Sequence, residues 1–326
     1  MSDLYPTNAQ DEEIALVDLS DLEKEAIAYA YRSKSKNTVR AYRADWAHFI
    51  NWCTSCNKSS LPASPETISL YLTYMVSKEK LKTTTIARRI VTISEVHLSR
   101  NFETPVRHSA VKAVWDGIKR TYGFNPRGKQ PALLKDIKEM INVLPNNLLG
   151  DRDRAILLIG FAGAMRRSEI VSLDIDDIRF CSEGLTIQLR FSKTDQEGKG
   201  RIIGIPYGEY EETCPVRSYK KWLTNSSISH GPAFRSVNRY GHVSLRRLSD
   251  KTVARIVKRS LLLANRDSTH YSGHSLRAGL ATQAALCGVP ERVIQDQTGH
   301  RSLLILRRYI RNGDIFTENA ASQIGL

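Results

Sequence analysis

The chain has 326 residues, of which 41% are hydrophobic, and a formal net charge of +14 at pH 7. This length exceeds what one hydrophobic core usually organises, so about two domains are expected. The chain contains no run of about 18 uncharged apolar residues that could span a bilayer, and its five cysteines are an odd number for a disulfide framework. The excess of basic residues favours a polyanionic partner, with nucleic acid as the first candidate.

The N-terminal segment differs in charge from the rest of the chain. Eight acidic residues and only one basic residue, Lys24, stand among the first 25 positions, so the remaining chain is more positive than the total indicates. We predict an acidic, disordered tail at residues 1–20. The segment lacks the basic, apolar and small-residue sections of a secretory signal. We therefore expect a cytoplasmic protein, which would be associated with the nucleoid if the polyanionic partner is DNA.

Residues 21–121 show four amphipathic helical patterns and no strand signal, which predicts a small helical domain. In each pattern apolar residues recur three and four positions apart. The second helix begins with Ser64, Pro65 and Glu66, which are a cap, a proline and an early acid. The third is predicted to begin with a cap from the threonines at 83–85. The predicted core positions are Val39, Tyr42, Trp46, Phe49, Ile50 and Cys53 on the first helix, Ile68, Tyr71, Leu72 and Met75 on the second, Ile86, Ile90 and Ile93 on the third, and Val111, Val114, Trp115 and Ile118 on the fourth.

Four arginines beside these apolar stripes are the candidates for DNA contact in this domain. Arg40 and Arg43 lie one turn apart on the first helix, and Arg88 and Arg89 are predicted to point outward from the third. Guanidinium groups bind phosphate oxygens well. We therefore expect contact with the DNA backbone more than reading of bases.

A linker at residues 122–133 is predicted to follow, because its Gly and Pro residues break the helical pattern. Residues 134–326 form the second predicted domain, which is α+β and dominated by helix. Two of its strands form a hairpin whose basic tip, residues 192–201, contains Gly198 and Gly200 and is predicted to be mobile. The clearest elements are helices at 134–144 and 151–162 and strands at 185–191 and 202–206.

The second domain carries three short segments rich in side chains that bind phosphate. Residues 163–169 read Gly-Ala-Met-Arg-Arg-Ser-Glu, residues 273–277 read Gly-His-Ser-Leu-Arg, and a Gly-His pair at 299–300 is followed by Tyr309 nine residues after its histidine. Phosphodiester transfer builds negative charge on the phosphate oxygens, which fixed cations can neutralise. The His and Arg of the second segment are three positions apart, so they share one helix face.

These segments, in this order, resemble the boxes of the tyrosine recombinase (phage integrase) family. The first is similar to the family's box of Arg, any residue, Ser and Glu, in which Arg166 takes the place of the arginine. The second resembles its His-x-x-Arg box, and the third resembles its final His with the nucleophilic Tyr. The resemblance covers nearly the whole chain after the acidic tail and is particularly marked for the Cre branch. Ala164 and Met165 depart from the usual Gly-Leu, and we interpret both as packing residues that leave catalysis intact.

The resemblance implies a site-specific DNA recombinase that cuts and rejoins DNA through a 3′-phosphotyrosyl intermediate and a Holliday junction. It implies no metal ion, ATP or other cofactor, because the phosphotyrosyl bond retains the energy of the broken phosphodiester. The implied fold is mainly α: a SAM-like core-binding domain and a catalytic domain with a small antiparallel sheet, which together clamp DNA in a C shape. The implied partners are double-stranded DNA recombination sites and further copies of the chain, in a homotetramer on DNA and a monomer or weak oligomer when free.

The resemblance also implies roles for individual residues. Tyr309 would attack the scissile phosphate, while Arg166 and Arg277 would grip its oxygens with bidentate guanidinium groups. Glu169 lies one helical turn from Arg166 and would orient that arginine. The two arginines would thus form the anion-binding part of the site, with Glu169 as their support, and Tyr309 its reactive part.

The remaining roles leave alternatives open. His300 would donate to a phosphate oxygen, and His274 would either accept the Tyr309 proton or hold the phosphate. Lys193, at the end of the first hairpin strand, would protonate the leaving 5′ oxygen, with Lys199 at the hairpin tip as the second choice.

Two other functions stay open at this point: a type IB topoisomerase with similar Arg, Lys, His and Tyr chemistry, and a DNA-binding regulator with an inert site. The helical N-terminal domain argues against the first, and the intact segments argue against the second. Two groups of residues could be considered as metal sites. One is the acidic group Asp174, Asp176 and Asp177, and the other is the cysteine pair Cys53 and Cys56. No matching ligands stand at an evident spacing, so we interpret the acids as a solvent-facing helix end and the cysteines as structural.

Overall fold

The structure is a computed structural model that describes residues 21–22, 25, 29, 34–124, 128–190, 200–300 and 302–311. The predicted acidic tail and the candidate lysines Lys193 and Lys199 lie outside the described residues. The chain divides into two compact units after residue 127, and each unit is described by itself. None of the described helices is long and apolar enough to cross a membrane.

The N-terminal unit is a set of packed helices, with no strand among its described residues. The helices are α1 (Lys36–Ser55), α2 (Pro65–Ser77), α3 (Thr83–Ser99) and α4 (Ser109–Tyr122), with a 3₁₀ turn at Pro105–Arg107. The predicted cap of α2 is confirmed, because the Ser64 hydroxyl accepts a hydrogen bond from the Thr67 backbone N–H at 3.1 Å. The predicted threonine cap of α3 is wrong. Lys82 is the N-cap residue, and the Thr83 hydroxyl donates instead to the Gly123 carbonyl at 2.8 Å.

The core of this unit forms where the apolar stripes of its helices meet. Phe49, Ile68, Tyr71 and Ile86 are fully buried, as the three- and four-residue spacing predicts. The rings of Phe49 and Tyr71 pack with their centroids 4.8 Å apart. Ile50 is 37% exposed, contrary to prediction. It lies about 100° around α1 from Phe49, so it falls outside the buried stripe.

The C-terminal unit combines helices with two small antiparallel sheets. Its elements are α5 (Leu134–Asn142), α6 (Leu148–Ala162), α7 (Arg167–Ser172), a 3₁₀ turn (Ile175–Asp177), β1 (Ile178–Phe180), β2 (Gly184–Leu189), β3 (Arg201–Pro206), α8 (Pro215–Ser226), β4 (Arg235–Val237), β5 (Val243–Arg247), α9 (Asp250–Leu263), α10 (His274–Leu286), α11 (Glu291–Thr298) and α12 (Leu303–Arg311). The predicted hairpin is confirmed, because β2 and β3 pair with Leu185 opposite Ile205 and Leu189 opposite Arg201. The sequence indicated none of β1, β4 and β5; β1 and β4 have only three residues each, too few to show an alternating pattern.

Helix α6 runs through the core of this unit and supports α10. Residues 155–161 of α6 are buried without interruption, which is typical of a helix surrounded by other elements. The two helices approach closely at Gly160, where a Cβ atom would lie 2.9 Å from the Leu276 side chain. Leu276 is fully buried in the first turn of α10. The core therefore fixes the turn that carries both His274 and Arg277.

The end of the predicted linker is bound to the C-terminal unit. The backbone N–H of Gln130 donates to the His270 carbonyl, and that of Ala132 donates to the Ser275 carbonyl, both at 2.9 Å. Gly279 allows this approach, because a Cβ atom there would lie 1.9 Å from the Ala132 carbonyl oxygen. The segment predicted as an extended spacer thus packs against α10 at this end.

Candidate active site

Arg166 stands at the turn between α6 and α7 and is held by Glu169. The backbone N–H of Arg166 donates to Glu169 Oε2 at 2.9 Å, and its Nη1 donates to Oε1 at 2.5 Å. Glu169 is buried in the first turn of α7, so its carboxylate has a fixed position. The two contacts orient both the backbone and the guanidinium group of Arg166.

The turn before Arg166 contains Ala164 in the left-handed conformation, with φ of +47° and a fully buried side chain. The chain reverses here after α6, and the Met165 N–H donates to the Gly160 carbonyl at 3.0 Å. This reversal points the Ala164 carbonyl at α10, where Arg277 Nη1 donates to it at 2.8 Å. Ala164 is therefore more than the packing residue expected from the sequence, because its carbonyl holds the second arginine of the site.

Arg277 is buried although it carries a charge. It is 1% exposed, and its Nη2 has no hydrogen-bond partner among the described residues. Burial, followed by the nearby charge of Arg166, lowers the pKa of Arg277 to about 10. An unpartnered buried donor destabilises a folded protein. The guanidinium group is thus suited to an anion with oxygen acceptors, such as a phosphate.

The Tyr309 hydroxyl contacts the imidazole of His274. The hydroxyl oxygen is 2.7 Å from His274 Nε2, a hydrogen-bond distance. Partial burial of the imidazole, followed by the charges of Arg277 and Arg166, lowers the pKa of His274. The ring is therefore neutral at neutral pH, and its Nε2 can accept the hydroxyl proton.

Helix α12, which carries Tyr309, packs on α10 and α11 of the same chain. Leu306, on that helix, is fully buried in a small apolar cluster with residues of α10 and α11. The Thr282 hydroxyl on α10 donates to the Tyr309 carbonyl at 3.3 Å. The Tyr309 ring centroid is 6.1 Å from that of His274 and 5.8 Å from that of His300. Packing of α12 on α10 thus keeps the Tyr309 ring beside both imidazoles.

His300 follows α11 at a turn formed by Gly299, whose φ is +62°. Gln295 Nε2 donates to the His300 carbonyl at 2.8 Å, and His300 Nδ1 lies 2.7 Å from the Thr298 hydroxyl oxygen. Burial, followed by Arg277 and other nearby cations, lowers the pKa of His300 to about 3. The imidazole is therefore neutral in the free protein at neutral pH.

Arg201 also belongs to the site, although the sequence analysis assigned it to the mobile tip of the hairpin. Its Nη1 donates to the Gln297 carbonyl at 2.9 Å. Its Nη2 is 3.8 Å from Glu169 Oε2 and has no hydrogen-bond partner among the described residues, and burial lowers its pKa. The alternation of β3 could have indicated this position, because Arg201 shares a strand face with the buried Ile203 and Ile205.

The predicted site residues Arg166, His274, Arg277, His300 and Tyr309 lie together, and their charges and rings affect one another directly. Lys193 and its alternative Lys199 fall in the segment outside the described residues. Arg201 and Thr298 are the residues that the sequence analysis missed.

The predicted DNA-contact arginines differ in their surroundings. Arg40 and Arg43 are exposed on α1. Arg88 is 49% exposed and forms a bidentate pair with the buried Asp45, at 2.7 and 2.9 Å. Arg89 is 12% exposed and lies 3.5 Å from the same carboxylate. The outward orientation predicted for Arg89 is wrong, because the buried anion and its polar neighbours draw this side chain into the bundle.

The acids considered as a metal site have local structural partners. Asp177 is buried rather than solvent-facing. Its carboxylate accepts hydrogen bonds from the Asp174 backbone N–H at 2.9 Å and from the Arg190 side chain at 2.6 Å. Asp174 forms an ion pair with Arg247 at 2.6 Å. Within the described ranges, no group of three or more His, Cys, Asp or Glu residues could hold a metal ion. Burial raises the pKa of Cys53 to about 11, which disfavours the thiolate that metals bind.

Two family models match the chain. The model described as the phage integrase family matches residues 133–314, and the model described as the phage integrase N-terminal SAM-like domain matches residues 29–98. An integrase/recombinase XerD homolog from Selenomonas ruminantium is 40% identical over 297 residues, which are 90% of this chain and 86% of that protein. The Cre recombinase of Escherichia phage P1 is 25% identical over 282 residues, 81% of this chain and 80% of its own.

Two of the solved structures with the same fold are complexes of recombinases with DNA. XerH site-specific recombinase, bound to a palindromic difH substrate after cleavage, superposes with a TM-score of 0.67 at 18% identity, covering 93% of this chain and 84% of XerH. A lambda integrase dimer bound to a COC′ core site gives a TM-score of 0.60 at 14% identity, covering 90% of this chain and 76% of the integrase chain. At these identities the similarity establishes the fold.

Proposed function

This chain belongs to the phage integrase family and is a tyrosine site-specific recombinase, and from that premise we propose that Tyr309 is the nucleophile that cuts DNA. The observation that carries the proposal is the 2.7 Å distance between the Tyr309 hydroxyl and His274 Nε2. The same site contains the buried Arg277, whose charge interacts with Tyr309. A nucleophile, a proton acceptor and a phosphate-binding cation are thus adjacent.

Cleavage begins when the Tyr309 oxygen attacks the scissile phosphorus. The hydroxyl proton passes to His274 Nε2, a bond forms between Tyr309 and the 3′ phosphate, and the bond to the 5′ oxygen breaks. The 5′ oxygen leaves as a hydroxyl after taking a proton from Lys193, or from Lys199 in the alternative assignment. The role of either lysine rests on the family resemblance, since both lie outside the described residues.

Arg166 and Arg277 neutralise the charge that develops on the phosphate oxygens. Glu169 supports this role, because it accepts hydrogen bonds from the Arg166 backbone N–H and from Nη1 and so holds the guanidinium in position before DNA arrives. His300 donates to another phosphate oxygen. Removing one donor to the developing charge from an active site typically slows the reaction about 100- to 1,000-fold, so each of the three groups is expected to matter for cleavage.

Strand exchange follows from the chemistry of the intermediate. The phosphotyrosyl bond retains the energy of the broken phosphodiester, so the 5′ hydroxyl of a partner duplex can attack it and release Tyr309. One round of exchange forms a Holliday junction, and a second round resolves it. The reaction as proposed requires no ATP, metal ion or other cofactor.

The proposed partner is double-stranded DNA with a recombination site. Exchange between two duplexes requires four cleavage sites, which supports a homotetramer on DNA. In the absence of DNA, the chain is proposed to be a monomer or a weak oligomer. Arg40 and Arg43 are exposed on the N-terminal unit, which supports contact with the DNA backbone. The proposed place of action is the cytoplasm, at the nucleoid.

The proposal is tested by capturing covalently bound DNA. The protein is incubated with random genomic fragments, denatured to remove non-covalent complexes, and the DNA ends that stay attached are sequenced. We expect one recurrent sequence at trapped 3′ ends, and no trapped ends with Tyr309→Phe. Adducts that persist in Tyr309→Phe would refute the assignment of the nucleophile. Trapped ends without a recurrent sequence would instead indicate a DNA-relaxing enzyme.

A further inference from the structure

Thr298 contacts His300 directly and has no role in the reaction described so far. It is fully buried at the last position of α11. Its hydroxyl oxygen is 2.7 Å from the Ile294 carbonyl oxygen, 3.3 Å from the Gln295 carbonyl oxygen and 2.7 Å from His300 Nδ1. The hydroxyl therefore makes two short contacts, one to a carbonyl and one to an imidazole nitrogen.

A count of protons determines the direction of both hydrogen bonds. Each short contact needs one hydrogen between its two atoms, and a threonine hydroxyl supplies only one. The Ile294 carbonyl has none to offer, so Thr298 donates to it. The contact with Nδ1 then requires a hydrogen from His300. The opposite assignment would leave two oxygens 2.7 Å apart with no hydrogen between them.

We propose that Thr298 holds His300 in the tautomer protonated at Nδ1, so that His300 can donate to a DNA phosphate only after its Nε2 takes up a proton. The inference rests on the proposed function, in which His300 donates to the phosphate. A neutral ring in this tautomer presents a lone pair at Nε2, which would repel a phosphate oxygen. The imidazolium form donates from both nitrogens and satisfies Thr298 and the phosphate together.

The charges around His300 determine when this proton is taken up. The groups that face it are Arg277 and His274 on α10, Arg166 before α7, Arg201 on β3 and Tyr309 on α12. Burial, together with the cations among these groups, keeps the ring neutral in the free protein. A phosphodiester bound between the arginines adds a negative charge close to the ring, which favours the imidazolium. The pKa of His300 is therefore higher in the DNA complex than in the free protein, so proton uptake accompanies engagement of the phosphate.

The first experiment compares Thr298→Val with Thr298→Ser. Valine matches the shape of threonine but has no hydroxyl, so neutral His300 becomes free to adopt the tautomer protonated at Nε2. Serine keeps the hydroxyl and is the matched control. The single-turnover rate of cleavage of a nicked DNA substrate is measured against pH, with binding of the DNA measured separately.

We expect cleavage by the wild type and by Thr298→Ser to slow about tenfold per pH unit above the pKa of His300 in the complex. Thr298→Val should lose this dependence. The ratio of its cleavage rate to that of the wild type should therefore be larger at high pH than at low pH. The other titrating groups are common to all three proteins, so they cancel in the comparison. Parallel pH profiles for Thr298→Val and Thr298→Ser would overturn the inference.

The second experiment observes the tautomer without DNA. Nitrogen-15 NMR of histidine-labelled protein distinguishes a protonated from an unprotonated Nδ1, and the His300 signals are identified by their loss in His300→Gln. We expect Nδ1 to be protonated in the wild type and mixed in Thr298→Val. Protonation of Nε2 in the wild type would overturn the inference even if Tyr309 proves to be the nucleophile. Protonation of Nδ1 with no adduct at Tyr309 would leave the tautomer assigned and remove the proposed function.

Discussion

Replacing Gly299 by Ala tests whether the turn before His300 and the Arg201 side chain depend on each other. The φ of Gly299 is +62°, and a Cβ atom there would lie 2.7 Å from Arg201 Nη1, 3.0 Å from its Cζ and 3.1 Å from its Nε. Arg201 Nη1 must therefore shift, and the Cζ and Nε atoms must give by a few tenths of an ångström. Gly288 is a matched control, because its φ is +73° but a Cβ atom there would meet nothing within 4 Å.

The expected loss of stability has two contributions. A non-glycine residue in the left-handed region costs about 1–2 kcal/mol, and Gly288→Ala should lose only this amount. Gly299→Ala should also displace Arg201 from the Gln297 carbonyl, to which it donates at 2.9 Å. A hydrogen bond from a charged group contributes about 1.5–3 kcal/mol, so Gly299→Ala should be about 2 kcal/mol less stable than Gly288→Ala.

The assays are urea denaturation for the free energy of unfolding and single-turnover cleavage of a nicked DNA substrate. Cleavage should slow on the order of 100-fold in Gly299→Ala, because the turn also positions His300 and small displacements of this size strongly reduce catalysis. Gly288→Ala should cleave at nearly the wild-type rate. Equal losses of stability in the two variants, or normal cleavage by Gly299→Ala, would show that Arg201 and the turn are not coupled.

Three further substitutions test the proposed roles. Arg277→Lys should slow cleavage about 100- to 1,000-fold in the same assay, while DNA binding in a gel-shift assay stays nearly normal. Lysine keeps the charge but offers one nitrogen to the phosphate, whereas the arginine fork offers two. Normal cleavage would rule out the phosphate clamp. Tyr309→Phe should abolish the protein–DNA adduct on a denaturing gel. It should lower the free energy of unfolding by only about 1 kcal/mol and leave salt-sensitive DNA binding intact. An adduct in this variant would show that another residue is the nucleophile. Lys193→Ala should regain cleavage on DNA with a bridging 5′-phosphorothiolate, whose sulfur leaves without a proton; rescue of Lys199→Ala alone would transfer the role to Lys199.

The local pattern of the sequence predicted most of the helices and the hairpin. The apolar spacing identified buried positions such as Ile68 and Ile86, and the Ser64 cap was found from three residues. These features depend on neighbours within one or two turns, so a short stretch of sequence contains the information that determines them. Ile50 was assigned wrongly because a stripe read from spacing alone does not define how wide the buried face is.

The short sequence boxes and their order along the chain also predicted which residues would meet in the site. Arg166, His274 and Tyr309 were identified because their segments resemble the boxes of the tyrosine recombinase family, and the structure brings them together. Their chemistry requires a particular set of side chains, and such a set in a fixed order is specific even without knowledge of the fold. The catalytic roles of these residues remain predictions that the experiments above test.

Only the tertiary structure determined how the site residues are oriented. The Ala164 carbonyl holds Arg277 across 113 positions of the chain, and Arg201 reaches Gln297 across 96. The inward turn of Arg89 likewise depends on the buried Asp45 of another helix. Such contacts arise when distant segments pack together, and the energy of a buried charge depends on which groups that packing brings within hydrogen-bond distance. The sequence specifies the side chains, whereas their partners and protonation states follow from the environment that the folded chain creates around them.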